Sequence, residues 1–439
     1  MSPGLQVLVV AAKIVFVLGF VLGLLPVVIW MERKGAAFLQ DRPGPNRAGV
    51  LGIRASGALH AVADVIKLVF KEDVVPSGVE RGWWALAPLV GLTTALVTFG
   101  FVPFGDEIRI AGQSVRLQVV DAEGGALFVL AFTSLSVYGT MLAGWASNNK
   151  FSLLGGLRAS AQTVSYELAM GLTFVSVLLV YGTLALDRIV EAQAGAPWHW
   201  GVAQGFGIVG VPAFVLFFVA VFAETNRVPF DLPEGEAELV GGFHTEYSSL
   251  RFALFFMGEY AALVVSSAVV TTFFFGGWQV PFLDGTALRL HAGAVLAAVG
   301  IAVGIGASGG AVLALRARRR RFYRALLPAD PRRREPLFWA VVWTVAALGG
   351  LGLAVAGLVD LPARVPWGPG AVAIMAQFGA FTVKTLFGCW CFVWVRWTLP
   401  RFRYDQIMDL GWRRLVPLAL ALVGLTAVWV VARETWGGG

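Results

Sequence analysis

"IVFVLGFVLGLLPVVIWM", Ile14 to Met31, runs for eighteen residues without a charge. At about 1.5 Å per residue, a helix of this length nearly matches the ~30 Å hydrocarbon core of a bilayer. A single basic residue, Lys13, precedes it, and no small-residue cleavage site stands before its polar flank. The run therefore reads as a retained spanning helix rather than a signal peptide. Similar runs recur near 83–104, 124–145, 161–183, 206–226, 251–276, 289–315, 337–359, 371–395 and 413–433. Composition agrees: 57% of the residues are hydrophobic, only 14% are charged, and the mean hydropathy is +0.74. Inside a bilayer the backbone finds no water, and the alternation of a barrel strand is absent, so bundled helices remain. The expected fold is an all-α polytopic membrane protein of about ten transmembrane helices, which excludes the soluble enzyme classes.

Orientation follows from the basic residues. With the N-terminus outside, 26 of the 34 Lys and Arg fall in or beside the inward-facing segments 32–82, 146–160, 227–250, 316–336 and 396–412. The reverse orientation would break the positive-inside rule. The net charge of +7 is thus accounted for by topology and calls for no nucleic acid. The most basic stretch, Arg316 to Pro336, is a topology anchor that can also meet anionic lipid or an acidic neighbour.

The first inner loop carries its own structure. In "HAVADVIKLVFKED", His60 to Asp73, Val62, Ile66, Val69 and Phe70 share one face, as in an amphipathic helix lying on a membrane surface. Ahead of it, "DRPGPNRAG" is a segment whose turn is surrounded by Arg33, Lys34, Arg42 and Arg47. The two cysteines, Cys389 and Cys391, point to different sides of one helix, and the four histidines are scattered, so no metal set is expected. "GFGIVG", Gly205 to Gly210, fits a dinucleotide-binding spacing, but it opens a spanning helix and lacks the preceding strand that such a site requires.

Acidic residues are concentrated instead of spread. Seven of the 27 lie between Glu224 and Glu259: those two plus Asp231, Glu234, Glu236, Glu238 and Glu246. Asp231-Leu-Pro-Glu234 has the spacing of a helix N-cap with its capping partner. Glu236, Glu238 and Glu246 have only Arg227 and Arg251 near them in sequence, and like charges this dense hold protons to higher pH. Glu259, Glu167 and Lys384 lie inside spans, where a central charge costs roughly 2.5–3.5 kcal/mol even on the lenient insertion scale. Several carboxyls beside an acidic loop suggest a route along which protons or charge move.

Four blocks resemble one family. "RPGPNRAG" with "ADVIKLVFKED", "GWASNNKFSLLGGLRASAQTVSYEL", "ETNRVPFDLPEGEAELVGGFHTEYSSLRFALFFMGEY" and "VRWTLPRFRYDQIMDLGW" are similar, in order, to the NuoH-type membrane subunit of respiratory complex I, the proton-pumping NADH:quinone oxidoreductase. The resemblance implies a bacterial inner-membrane subunit that walls part of a quinone chamber and couples quinone reduction to proton pumping. It further implies that this chain binds no redox cofactor, that quinone is the substrate, and that flavin and iron–sulfur clusters sit in partner subunits. Carried over by position, Glu224, Arg227, Asp231, Glu234, Glu236, Glu238 and Glu246 match the acidic loop of the quinone chamber. Glu167 and Glu259, with Glu224, match the coupling carboxyls. Arg42, Arg47 and Asp64 match the first inner loop near the quinone entrance. Tyr404 and Asp405, of "RYDQ", match a loop expected to contact hydrophilic partner subunits.

Two departures from the family stand out. His60 replaces a usual Gln, with extra residues around Ile53 to Gly57 in the same loop. Leu283 to Gly370 replaces a short outer linker with two further helices around the arginine-rich loop, leaving eight family-like spans. The expected organisation is a family-like core over 1–282, the inserted pair over 283–370, and the last two family-like helices over 371–439. The pair is expected to pack peripherally, against lipid or an accessory subunit. Two other readings remain at this point: the homologous membrane subunit of an energy-converting hydrogenase or ferredoxin- or deazaflavin-linked oxidoreductase, and a free-standing ion transporter.

Overall fold

The computed structural model describes residues 3–50, 53–110, 113–233, 241–317, 334–365 and 367–436. Its main helices are α1 (Pro3–Leu39), α2 (Leu59–Phe70), α3 (Arg81–Phe99), α4 (Gly125–Ala146), α5 (Lys150–Tyr181), α6 (Leu186–Glu191), α7 (Gly210–Glu224) and α8 (Ser249–Phe274). They are followed by α9 (Gly285–Leu290), α10 (Ala292–Ala317), α11 (Glu335–Leu358), α12 (Gly368–Thr398), α13 (Tyr404–Asp409) and α14 (Val416–Trp436). Among the described residues nine helical stretches are long and apolar enough to cross a membrane, and α7 is a shorter apolar helix of 15 residues. The chain is an all-α polytopic membrane protein, and α2 is the amphipathic helix expected of the first inner loop.

Two local differences from the sequence reading have physical causes. Strands β1 (Gly105–Ile110) and β2 (Gln113–Leu117) pair as an antiparallel hairpin. Its signal was present, since Ile108, Ile110, Val115 and Leu117 alternate with polar residues around Ala111-Gly112. Helix α5 begins at Lys150 rather than near 161. Lys150, Arg158 and several small residues lower the hydropathy of its first turns, yet Asn149 caps them by accepting the Phe151 N–H at 2.9 Å.

The chain divides into two compact units. The first comprises residues 1–28, 67–282 and 379–439. At its centre lies α8, of whose most apolar 18-residue window 72% is buried. Small residues let neighbours approach it: a Cβ on Gly258 would stand 3.3 Å from the Leu92 nitrogen of α3, and one on Gly139 of α4 only 3.0 Å from the Gly91 nitrogen. Close backbone packing of this kind replaces the hydrophobic driving force that lipid removes.

The second unit comprises 29–66 and 283–378. Here α10 and α11 form a hairpin closed by glycine. A Cβ on Gly350 would meet the Gly304 nitrogen at 2.6 Å, so only glycine permits this spacing. Val299, Ile301, Ile305, Val345, Leu348 and Leu351 remain exposed on the hairpin, as lipid-facing side chains do.

Candidate functional site

In the first unit, α7 ends at Glu224 and the chain turns through Thr225 and Asn226, the latter with φ +50°. The left-handed conformation is one that Asn tolerates better than most residues. Gln162 of α5, fully buried, secures this turn. Its Nε2 donates to the carbonyls of Ala223 and Phe230, each at 2.9 Å, and to Asn226 Oδ1 at 3.2 Å. Glu224 and the loop after it are thereby held against α5.

The turn opens on a cavity of about 70 Å³. Glu224 and Asn226 line one side, Glu259 and Gly258 of α8 another, and Ser136 and Thr140 of α4 supply hydroxyls. A space this size holds a few waters, and its polar groups could bind them. Beyond it, the Glu224 carboxyl reaches the Thr133 hydroxyl and interacts electrostatically with Glu167, whose own carboxyl reaches Ser134. Three carboxyls from three helices thus lie beside hydroxyl-bearing residues of α4.

Arg227 is buried beside this cavity. Its guanidinium stands 3.9 Å from Glu259 and 4.2 Å from the centre of the Tyr260 ring. Arg251 turns elsewhere, to Asp73 at 2.7 Å and over the Trp84 ring at 4.4 Å. Asp231 is buried and takes a hydrogen bond from Arg401 at 2.6 Å, so among the described residues its carboxylate serves a partner 170 positions away and makes no local capping bond. Burial pushes the Asp231 carboxyl above its ordinary range, and Arg401 pulls it back down.

The loop carrying Arg401 packs directly on the loop after α7. Phe402 N–H donates to the Pro229 carbonyl at 3.1 Å, and the Phe402 and Phe230 rings meet edge to face. Tyr404 is 38% exposed and Asp405 pairs with Arg403 on the surface, which leaves both accessible. Behind them, the Tyr166 hydroxyl donates to the Ile407 carbonyl at 2.9 Å, and the Trp412 indole donates to Ser165 at 3.0 Å. Ser165 and Tyr166 immediately precede Glu167 on α5, so the surface loop and a cavity-side carboxyl share one helix.

Other predicted residues lie apart from the cavity. Glu246 accepts from Asn149 Nδ2 at 2.5 Å and lines a surface pocket with Lys150 and Asn148. Glu234, Glu236 and Glu238 lie outside the described residues, as does most of the arginine-rich loop. In the second unit, Asp64 pairs with Arg33 at 2.5 Å, while Arg42 and Arg47 are exposed. There His60 Nε2 accepts the backbone N–H groups of Arg47 and Ala48, both at 3.1 Å. A Gln carbonyl at position 60 could accept the same pair. Lys384, the other charge inside a span, donates to the carbonyls of Phe275, Gly277 and Gln279 at 2.7–3.1 Å and covers the Trp200 ring. It caps the end of α8.

Sequence reasoning missed Gln162, Ser136, Thr140 and Arg401. A buried-facing Gln within a span is a weak signal, and nothing in the sequence ties Arg401 to Asp231.

A family model described as NADH dehydrogenase matches residues 12–427. The chain belongs to this family. Its relatives match over nearly their whole lengths. An H-type subunit of the NADH-quinone oxidoreductase of Solibacter usitatus is 41% identical over 423 residues, covering 96% of each chain. An H-type subunit from Geobacter sulfurreducens is 37% identical over 427 residues, 97% of this chain and 98% of the relative. The NADH-quinone oxidoreductase subunit 8 of Rhodothermus marinus is 39% identical over 405 residues, 92% of each. The likeness therefore extends across the helices that carry Glu167, Glu224 and Glu259.

Proposed function

We propose that this chain is the membrane subunit of a proton-translocating NADH:quinone oxidoreductase, that it walls part of the quinone chamber, and that it couples quinone reduction to proton movement. In this reading it lies in a bacterial inner membrane with its N-terminus outside, and other subunits bring the flavin and iron–sulfur clusters. The observation that carries the reading is the cavity shared by Glu224 and Glu259, with Arg227 at its edge. Carboxyls facing a water-sized polar space can exchange protons through water and hydroxyls, which a carboxylate closed into a dry ion pair cannot.

The mechanism divides between two regions. Arg227, Asp231 and Arg401, with Glu234, Glu236, Glu238 and Glu246, belong to the loops that meet the quinone side. A change of charge there on quinone reduction alters the field at Arg227, and Arg227 stands against Glu259. Glu259, Glu224 and Glu167 then pass the change laterally across the α4 face. Arg42, Arg47 and Asp64 belong to the quinone entrance, and Tyr404 and Asp405 to the contact with hydrophilic subunits. The relatives' names, all of NADH-quinone oxidoreductases, favour this reading over a hydrogenase subunit or a free-standing transporter.

The test compares Glu224→Gln and Glu259→Gln in the assembled complex in membrane vesicles. NADH:quinone turnover is expected to fall at least tenfold, or proton uptake per electron to drop, with subunit composition unchanged. Wild-type turnover and stoichiometry in both variants would remove the assigned roles.

A further inference from the structure

Two segments set apart by the sequence analysis, the residues around Ile53–Gly57 and the helix pair over 283–370, meet inside the second unit. Ala55, Ser56 and Gly57 have φ of +44°, +52° and +88°, three consecutive residues in the left-handed region. Only the last is glycine, and there a side chain would collide with the Pro45 carbonyl. For Ala55 and Ser56 this conformation is unfavourable and persists only when the surroundings hold it. Two contacts do so. The Trp30 indole donates to the Ser56 carbonyl at 3.1 Å, and the Ser56 N–H donates to Glu335 Oε1 at 2.6 Å.

Glu335 opens α11, the second helix of the inserted pair, and is only 2% exposed. Among the described residues its second oxygen is buried without a hydrogen-bond partner, and the carboxylate interacts electrostatically with the Lys34 ammonium. Lys34 in turn donates to the Pro43 carbonyl at 2.7 Å, within the turn that carries Arg42 and Arg47. A buried carboxylate held by one backbone N–H and a nearby cation has part of its burial cost left uncompensated.

We propose that Glu335 is a positioning residue: the inserted helix pair uses it to clamp the extra turn of the first inner loop, and so sets the shape of the quinone entrance. The pair is then a buttress for the loop and not only a lipid-facing addition. The functional half of the proposal rests on the assignment of this loop to the quinone passage; the clamp itself does not.

The experiment uses the assembled complex with Glu335→Ala, Glu335→Asp and Glu335→Gln. Glu335→Asp keeps the charge but falls one methylene short of Ser56, whereas Glu335→Gln keeps an acceptor at the same reach. Amide exchange of residues 53–57 and the KM and kcat for a soluble quinone are measured together. Loss of the acceptor of a partly buried backbone N–H supports roughly a tenfold or greater difference in local opening. The Ala and Asp variants are expected to exchange at least about tenfold faster over 53–57 and to show a raised quinone KM with kcat nearly unchanged. The Gln variant is expected to stay near wild type in both. Unchanged exchange in Ala and Asp overturns the clamp. Faster exchange with an unchanged KM leaves the clamp standing and overturns the entrance assignment. Loss of assembly in Ala and Asp alike makes Glu335 a general stability residue and overturns the proposal.

Discussion

Gln162→Leu tests whether the geometry of the carboxyl cavity matters. The two side chains have similar size, so packing is preserved while the amide is lost. Gln162 Nε2 serves three acceptors with two hydrogens: Ala223 O, Phe230 O and Asn226 Oδ1. Removing it takes this donor from the Phe230 carbonyl and Asn226 Oδ1, at about 1–3 kcal/mol each, while the Ala223 carbonyl keeps the Asn226 N–H. Against this, Gln162 Oε1 is itself buried without a partner, and its removal returns about 1–2 kcal/mol. At the middle of these ranges the net cost is about 2–3 kcal/mol, borne locally by the turn between Glu224 and Phe230. A shift of that size changes the ratio of open to closed turn by roughly 30- to 150-fold. The turn sets the position of Glu224 and Arg227, so the expected outcome is an assembled complex with faster amide exchange over 223–230. Proton uptake per electron is expected to fall. Wild-type exchange at these amides, or loosened amides with undiminished proton stoichiometry, would refute the link between this amide and coupling.

Other perturbations bear on separate parts of the structure. Arg401→Gln removes the charge that opposes burial at Asp231, so the carboxyl should keep its proton to still higher pH. Since the folded carboxyl already lies above its unfolded value, its contribution to stability is present at low pH and is lost as pH rises through the folded value. The variant should therefore go on losing protection over 226–233 as pH rises past the point where wild type levels off, with a local cost of about 2–3 kcal/mol at the alkaline end. That lies below the 3–5 kcal/mol of a fully buried pair because Arg401 is 27% exposed. Gly350→Val should force α10 and α11 apart, since its Cβ alone would stand 2.6 Å from the Gly304 nitrogen. A loss of about 1–3 kcal/mol is expected, measured as a lower thermal inactivation temperature of the complex. Removal of residues 285–369 should leave a complex that assembles with a loosened first inner loop; intact protection over 53–57 would count against the buttress.

The membrane class, the spans and the amphipathic helix were legible because each depends on local pattern: run length for the spans and 3.6-residue spacing for α2. The start of α5 was not. Its first turns are stabilised by the Asn149 cap and by close backbone approach, since a Cβ on Gly155 would stand 2.6 Å from the Phe243 nitrogen. Hydropathy registers neither. The β1–β2 hairpin carried an alternating pattern only five or six residues long, easily overlooked between strong apolar runs.

The same division applies to the site. Sequence alone determined that carboxyls gather around the end of α7 and inside α5 and α8, because an ionisable residue in an apolar run is conspicuous wherever it lies. Only the tertiary structure decided which of them face one another. It joined Glu224 and Glu259 across a cavity, gave Asp231 to Arg401, Arg251 to Asp73, and Ser56 to Glu335. Those pairings depend on how helices far apart in the chain pack, and distances of a few ångströms between them leave no periodic trace in the order of residues.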